Sequence, residues 1–446
     1  MKRIIFTIII ILLAFNSFAA DKPMSKIVMP TARTNGFGGH HTAYTDNVYS
    51  LFVNPAAMIR VNEISTFSFS PSFYSPGSAF SIISPLAKSF FGSSKNLGTA
   101  LGKFSQKAIG FELREFPLSV AYVANGFGFA AMNSTNLNLA LRGTYVTTSL
   151  YEDIALPFGF AFKIFEKDSH FIDAGIAVKP FTRFMGEAKV DLFNLMTDNA
   201  SLFDGIHMPI IVGCAADIGF MYRWEPEGLQ AGLTFDDIIG RGAPVASIGG
   251  KDKNSYYIPF NMNLGLAYTL RPERFWNDLP DAVKDLGVTA TFDWRDFTNT
   301  FQQDDYTRRN NSLDFAVGLE FSWKKMIFLR FGMQEMLPGF GFGFDLGSAK
   351  IDFAYYGREL STEPGNLSTA IIELAVSIRP KAKEKNWPWA KQPIMSYFGA
   401  GDSSEEQTVE SVDVDEITET DIFSAYETEA EIIEEAEPES ESSLDI

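Results

Sequence analysis

Ser312-Leu-Asp-Phe-Ala-Val-Gly-Leu-Glu-Phe-Ser-Trp323 decides the fold. Leu313, Phe315, Val317, Leu319, Phe321 and Trp323 alternate with Asp314, Ala316, Gly318, Glu320 and Ser322. Successive side chains of a strand point to opposite faces, so this stretch has one greasy face and one small or charged face. The same pattern recurs on both sides of it. Phe260 to Leu270 sets Phe, Met, Leu and Tyr against Asn, Gly, Ala and Thr. Pro338 to Gly347 sets Phe340, Phe342, Phe344 and Leu346 against Gly339, Gly341, Gly343 and Asp345. Val288 to Arg295, Ile327 to Gln334, Lys350 to Tyr356 and Ile372 to Ile378 follow suit. Each run covers roughly 8 to 12 residues, the length of a tilted membrane strand.

Turn chemistry separates the runs. Asn125-Gly126 is a hairpin signal, and Trp323-Lys-Lys-Met and Gly347-Ser-Ala-Lys are short connections. Longer excursions are expected at 85–103, 191–207 and 271–284. The pattern predicts a transmembrane antiparallel β-barrel of about fourteen strands over residues 62–380. A soluble β-sandwich also alternates. Three features argue against it: 42 Phe residues concentrated on the apolar rows, isolated charges on the opposite rows, and the length of the strand series. The charges expected to face inward are Asp293, Arg295, Asp314, Glu320, Arg330, Lys350, Asp352 and Glu373.

The ends of the chain have a different character. Lys2 and Arg3, the apolar run Ile4 to Phe15, and Ser17-Phe-Ala19 read as a cleaved signal peptide over residues 1–19. That places the mature chain in the cell envelope. Residues 401–446 carry 18 acidic residues and no Lys or Arg. Removing those 18 from the 55 acidic residues leaves 37, equal to the 37 basic residues. The net charge of −18 therefore belongs to the tail, and residues 381–446 read as an acidic, largely disordered periplasmic extension. No basic patch points to nucleic acid. Cys214 is the single cysteine, so the fold stands without disulfides, and four scattered His give no metal spacing.

Chemistry of catalysis is missing from the pattern. Val245-Ala-Ser-Ile-Gly lacks the first Gly of a nucleophile elbow, and Gly339-Phe-Gly-Phe-Gly is explained by strand alternation rather than by a dinucleotide loop. Asp236-Asp237 and Asp304-Asp305 are expected in solvated turns at strand ends. We expect no enzyme, no cofactor and no metal.

One segment precedes the first strand and has little periodicity: Ala32-Arg-Thr-Asn-Gly36-Phe-Gly38-Gly39-His-His-Thr-Ala43-Tyr-Thr-Asp46, continuing to Leu51-Phe52-Val-Asn54-Pro55-Ala56-Ala57-Met58. Over about 27 residues this resembles the N-terminal signature of the FadL-like outer-membrane proteins and their PorV-like relatives, in which an Ala-Arg stretch, a Gly-Gly and an Asn-Pro-Ala lead into strand one. The resemblance implies a fourteen-stranded barrel in the cell outer membrane, with residues 20–61 folded inward as a hatch. It implies passive uptake of long-chain fatty acids or other hydrophobic small molecules. Partners would be that ligand, outer-membrane lipid and the barrel assembly machinery. The alternative is a PorV-like accessory protein that binds exported proteins or a secretion complex. Gly36, Gly38, Gly39, Phe52, Asn54, Pro55 and Ala56 are the expected gate residues, and Arg295, Arg330 and Lys350 the expected lumen-lining residues. The same residues would serve a moving hatch or a fixed plug. Two points depart from the family pattern: the last strand ends near Ile378-Arg-Pro380, well before the chain end, and no ligand-binding cation is marked by motif. A periplasmic partner for the tail is a further possibility of this reading.

Overall fold

The computed structural model describes residues 22–75, 108–197, 201–225, 227–250, 254–270, 284–301 and 309–382, with the single residues 252, 272 and 393. The expected signal peptide, the acidic tail, the whole 85–103 excursion, all of 271–284 but residues 272 and 284, and the Asp304-Asp305 pair lie outside the described residues. Among the described residues no helix is long and apolar enough to cross a membrane.

The strands form one closed antiparallel barrel of 14. We number them in chain order. Strand β1 is Asn62–Ser65 with Phe67–Tyr74, β2 is Ala108–Ala124 and β3 is Phe127–Arg142. Strand β4 joins Tyr145–Ala155 and Phe158–Lys167 across Leu156-Pro157, and β5 is His170–Asp191. Strand β6 is Met208–Trp224, β7 joins Leu229–Asp236 to Arg241–Ile248, and β8 joins Tyr256–Tyr257 to Asn261–Leu270. The rest are β9 Leu286–Trp294, β10 Phe315–Trp323, β11 Ile327–Gln334, β12 Leu337–Asp345, β13 Ala349–Glu359 and β14 Ser368–Ile378. Strand β14 pairs with β1, from Ile371 opposite Tyr74 to Ile378 opposite Phe67, and this closes the ring. Backbone bonds Ile64 N to Pro380 O (2.9 Å) and Ala382 N to Asn62 O (3.1 Å) extend the seam.

The hairpins follow their turn chemistry. Gly126 and Gly347 take positive φ, as do Asn125, Lys324 and Lys325, so each reversal is made in two or three residues. Leu270 and Leu286, the strand ends that flank 271–284, lie at the same end of the barrel as these tight turns.

The period-two pattern sets the radial order. Phe67, Phe129, Phe160, Ile176, Leu266, Phe292, Val317, Leu329, Phe331, Phe340, Ile351 and Leu374 are exposed on the outside. Their neighbours face inward and are buried: Asp293 and Glu373 at 0% exposure, Glu320 and Arg330 at 2%. This is the reverse of a water-soluble protein, where charge is outside and grease within. It is the arrangement a bilayer selects, with closed pairing satisfying every backbone group that faces lipid. Ring pairs such as Phe331–Phe340 (5.6 Å) and Trp294–Phe315 (5.6 Å) tile neighbouring strands of the belt.

Strand β2 is interrupted. Its pairing with β3 shifts register between Arg114 and Ser119. Asn133 of β3 fills the gap with its side chain, donating from Nδ2 to Phe116 O (2.9 Å) and accepting from Leu118 N (3.1 Å). The bulge turns Glu115 inward, where it is 2% exposed.

Candidate functional site

Residues 22–61 pack against the inward face of the strands. Two short helices, α1 (Ala32–Gly36) and α2 (Ser50–Val53), and a 3-10 turn (Pro55–Arg60) give the segment what regular structure it has. Helix α1 begins with a capping box: Thr31 accepts from Thr34 N (3.2 Å) and Thr34 Oγ1 from Thr31 N (2.9 Å). The 3-10 turn begins where Asn54 Oδ1 accepts from Ala56 N (3.1 Å), with Pro55 at its first position.

The wall meets this backbone with glycine. A Cβ on Gly36 would lie 2.6 Å from Gly341 Cα of β12. Gly318 of β10 faces the Phe37 carbonyl, and Gly332 of β11 faces Phe37 and Gly38. Gly232 of β7 and Gly265 of β8 face Thr42 and Ala43. Gly175 of β5 faces Pro55, and Gly219 of β6 faces Asn54. Gly128 of β3 and Gly159 of β4 face Met58. A side chain at any of these positions would occupy the space the segment occupies. Nine wall strands thus contribute a glycine to one continuous seat. Sequence reasoning missed it, although the signal was present: each of these glycines lies on the inward row of its strand.

The expected gate residues fall as follows. Gly36 makes the closest approach to the wall, and Gly38 (φ 90°) and Gly39 (φ 94°) occupy the left-handed region, where a side chain is strained. Phe52 is 5% exposed and belongs to an apolar cluster with Met24, Ile27, Leu51 and Met58 of the segment and Met132 of the wall. Asn54 also donates from Nδ2 to Thr42 O (2.9 Å) and Phe220 O (3.2 Å), so one buried amide ties two stretches of the segment to β6. Ala56 is fully buried beside Met221.

The expected lumen cations all have protein partners. Arg330 is held between Glu320 Oε2 (2.7 Å) and Asp352 Oδ1 (2.7 Å). Lys350 reaches Glu63 Oε1 (2.6 Å). Arg295 donates from Nη2 to Gly38 O (2.6 Å) and covers the Gly39 backbone.

Other buried charges pair as well. Arg114 bridges Glu373 (2.6 Å) and Glu112 (2.5 Å), while Asn35 Nδ2 donates to Glu373 Oε2 (2.7 Å). Lys179 bridges Asp217 (2.7 Å) and Asp237 (3.1 Å). This corrects the solvated-turn reading of Asp236-Asp237: Asp236 and Asp237 are 9% and 2% exposed, because the break in β7 turns them toward Lys179, a partner 58 positions away that local composition does not reveal. Arg183 pairs with Asp153 and donates to Ser25 O (2.8 Å), and Arg379 joins Tyr49 and Glu115. A charge left unpaired in such a site is costly, which accounts for the pairing.

Two segment groups have displaced protonation. Burial, and then the Arg295 charge, lower His40 to about 3; its ring nitrogens are buried without a hydrogen-bond partner, so the imidazole is neutral. Burial pushes the Tyr49 hydroxyl well above its usual value, with Arg379 opposing and Glu115 adding to the shift. Among the described residues no cluster of His, Cys, Asp and Glu forms a metal site.

No family model and no curated protein matches this chain. Solved structures do align with it. A TodX monoaromatic hydrocarbon channel mutant matches at TM-score 0.45 and 11% identity, covering 79% of this chain and 98% of that one. The CymD monoaromatic hydrocarbon channel matches at TM-score 0.42 and 10% identity, covering 81% and 100%. A FadL homologue of Pseudomonas aeruginosa matches at TM-score 0.38 and 11% identity, covering 81% and 99%.

Proposed function

We propose that this chain is a FadL-like outer-membrane protein that carries hydrophobic small molecules, long-chain fatty acids among them, passively through its barrel, with residues 20–61 as the hatch. One observation carries the reading. The barrel has lipid-facing Phe and Leu rows outside and a lumen whose charges are bound to one another, with an apolar cluster built jointly by the segment and the wall. Among the described residues, these paired charges hold one another rather than a travelling ion, while the cluster offers an apolar molecule apolar contact. The resemblance of residues 32–58 to the FadL-like signature supports the same reading. In it, residues 1–19 are a signal peptide, 62–380 the barrel and 381–446 a periplasmic extension. The interruption at 115–118 in β2, where pairing with β3 shifts register, is one place where the wall's ladder is broken.

The test is uptake by reconstituted liposomes. The purified chain should accelerate entry of labelled oleate and of a neutral monoaromatic probe over protein-free vesicles, with little ion conductance. Deleting residues 20–58 should raise ion leakage. Ion conductance by the intact chain without acceleration of either hydrophobic probe would overturn the proposal.

A further inference from the structure

His41 is 3% exposed and sits where the segment crosses β9. Its Nδ1 lies 2.6 Å from Asp293 Oδ2, and its Nε2 lies 2.9 Å from the Phe37 carbonyl oxygen. The other oxygen of Asp293 accepts from Thr42 N (2.7 Å). Both ring nitrogens therefore face oxygens that are acceptors. A carbonyl has no proton to give, and an ionised carboxylate has none. A neutral imidazole carries one N–H and satisfies one of these contacts only. For both to be hydrogen bonds, the pair must hold a further proton, as imidazolium beside carboxylate or as neutral imidazole beside a carboxylic acid.

We propose that His41 and Asp293 form a proton-loaded latch that fastens residues 37–42 to β9. When the proton leaves, one contact becomes a lone pair against a lone pair in a site closed to water, and the fastening weakens. The latch is thus firm toward low pH and looser toward high pH. The charged and titratable groups around it are Asp293 from β9 and Arg295 just beyond it, Glu320 from β10 through Tyr44, and His40 and Tyr44 from the segment, with Arg114 of β2 acting on neighbouring His40. Thr291 Oγ1 also lies 3.1 Å from Nε2 and, among the described residues, is the neighbour able to donate there instead; it would leave the Phe37 contact repulsive.

The inference concerns how the segment is fastened and is independent of any cargo, so its readout is amide protection rather than uptake. Hydrogen exchange of residues 37–43 in the full-length barrel, corrected for intrinsic rates, should show protection at least tenfold lower at pH 9.5 than at pH 6.5. Asp293→Asn places an N–H against His41 Nδ1 and leaves an oxygen for Thr42, so a neutral imidazole satisfies every contact. Its protection should stay high and flat across that range. His41→Gln should be flat and low. A wild-type profile without pH dependence, or persistence of the dependence in Asp293→Asn or His41→Gln, would overturn the latch.

Discussion

Gly36 of α1 and Gly341 of β12 meet backbone to backbone, so close that a Cβ on Gly36 would stand 2.6 Å from Gly341 Cα. Substituting Gly341→Val should unseat α1 while leaving the β11–β12–β13 ladder intact, at a cost of about 1–3 kcal/mol typical of overpacking. Limited proteolysis should then cut within residues 30–45, and the barrel should still migrate as a folded species.

Asn54 makes three hydrogen bonds with one buried amide. Asn54→Ala removes all three of these bonds in a buried site, which should destabilise the segment by about 1–3 kcal/mol. Exchange protection should fall at Ala56 and around Thr42. Unchanged protection at both places would show that the amide does not tie them together.

On the outer belt, Phe331 packs against Phe340 midway along β11. Phe331→Arg should cost about 2–4 kcal/mol in urea-driven unfolding from lipid vesicles, the penalty of a cation at the bilayer midplane. Phe331→Leu should be nearly silent. Equal effects of the two variants would contradict a lipid-facing belt.

Arg330→Met removes the shared partner of Glu320 and Asp352, leaving Glu320 with Arg33 at 3.8 Å and the Tyr44 hydroxyl, and should destabilise the barrel by about 3–5 kcal/mol. The triple variant Arg330→Met, Glu320→Gln, Asp352→Asn should recover most of the loss. A triple variant as unstable as the single one would place the cost in packing rather than charge.

His40 sets an acid limit on the seated segment. Its seated value near 3 lies below the ordinary histidine value near 6.5, so released His40 takes a proton that seated His40 refuses. The contribution is complete above about pH 6.5 and is lost progressively as pH falls toward 3. His40→Gln should flatten this acid limb of the exchange profile and leave the alkaline side unchanged.

Much of this was readable from alternation, because a period of two assigns every residue to a face once one row is known to be greasy. Asp293, Glu320, Arg330 and Glu373 could be placed inward on that basis, and they are buried there. The pairing of charges was not readable. Lys179 finds Asp217 and Asp237 through strand neighbours and a break in β7, and neither leaves a local trace. The glycine seat lay between. Gly318 and Gly341 stood out in alternating runs, but their common purpose appears only when the strands are set side by side around the segment. The segment itself was picked out by its motif, and the roles of Asn54 as a cap and of His41 as a fastening needed coordinates.

Asn35 bonds Glu373 across 338 residues of chain, and α1 rests on β11 to β14. The Asn35 anchor therefore exists only once the strand that closes the ring is in place. Until β14 closes onto β1, the early segment has half of its resting place and none of its Glu373 anchor. Assembly therefore couples the first residues of the folded part to the strand that closes the ring, a pairing of high sequence separation.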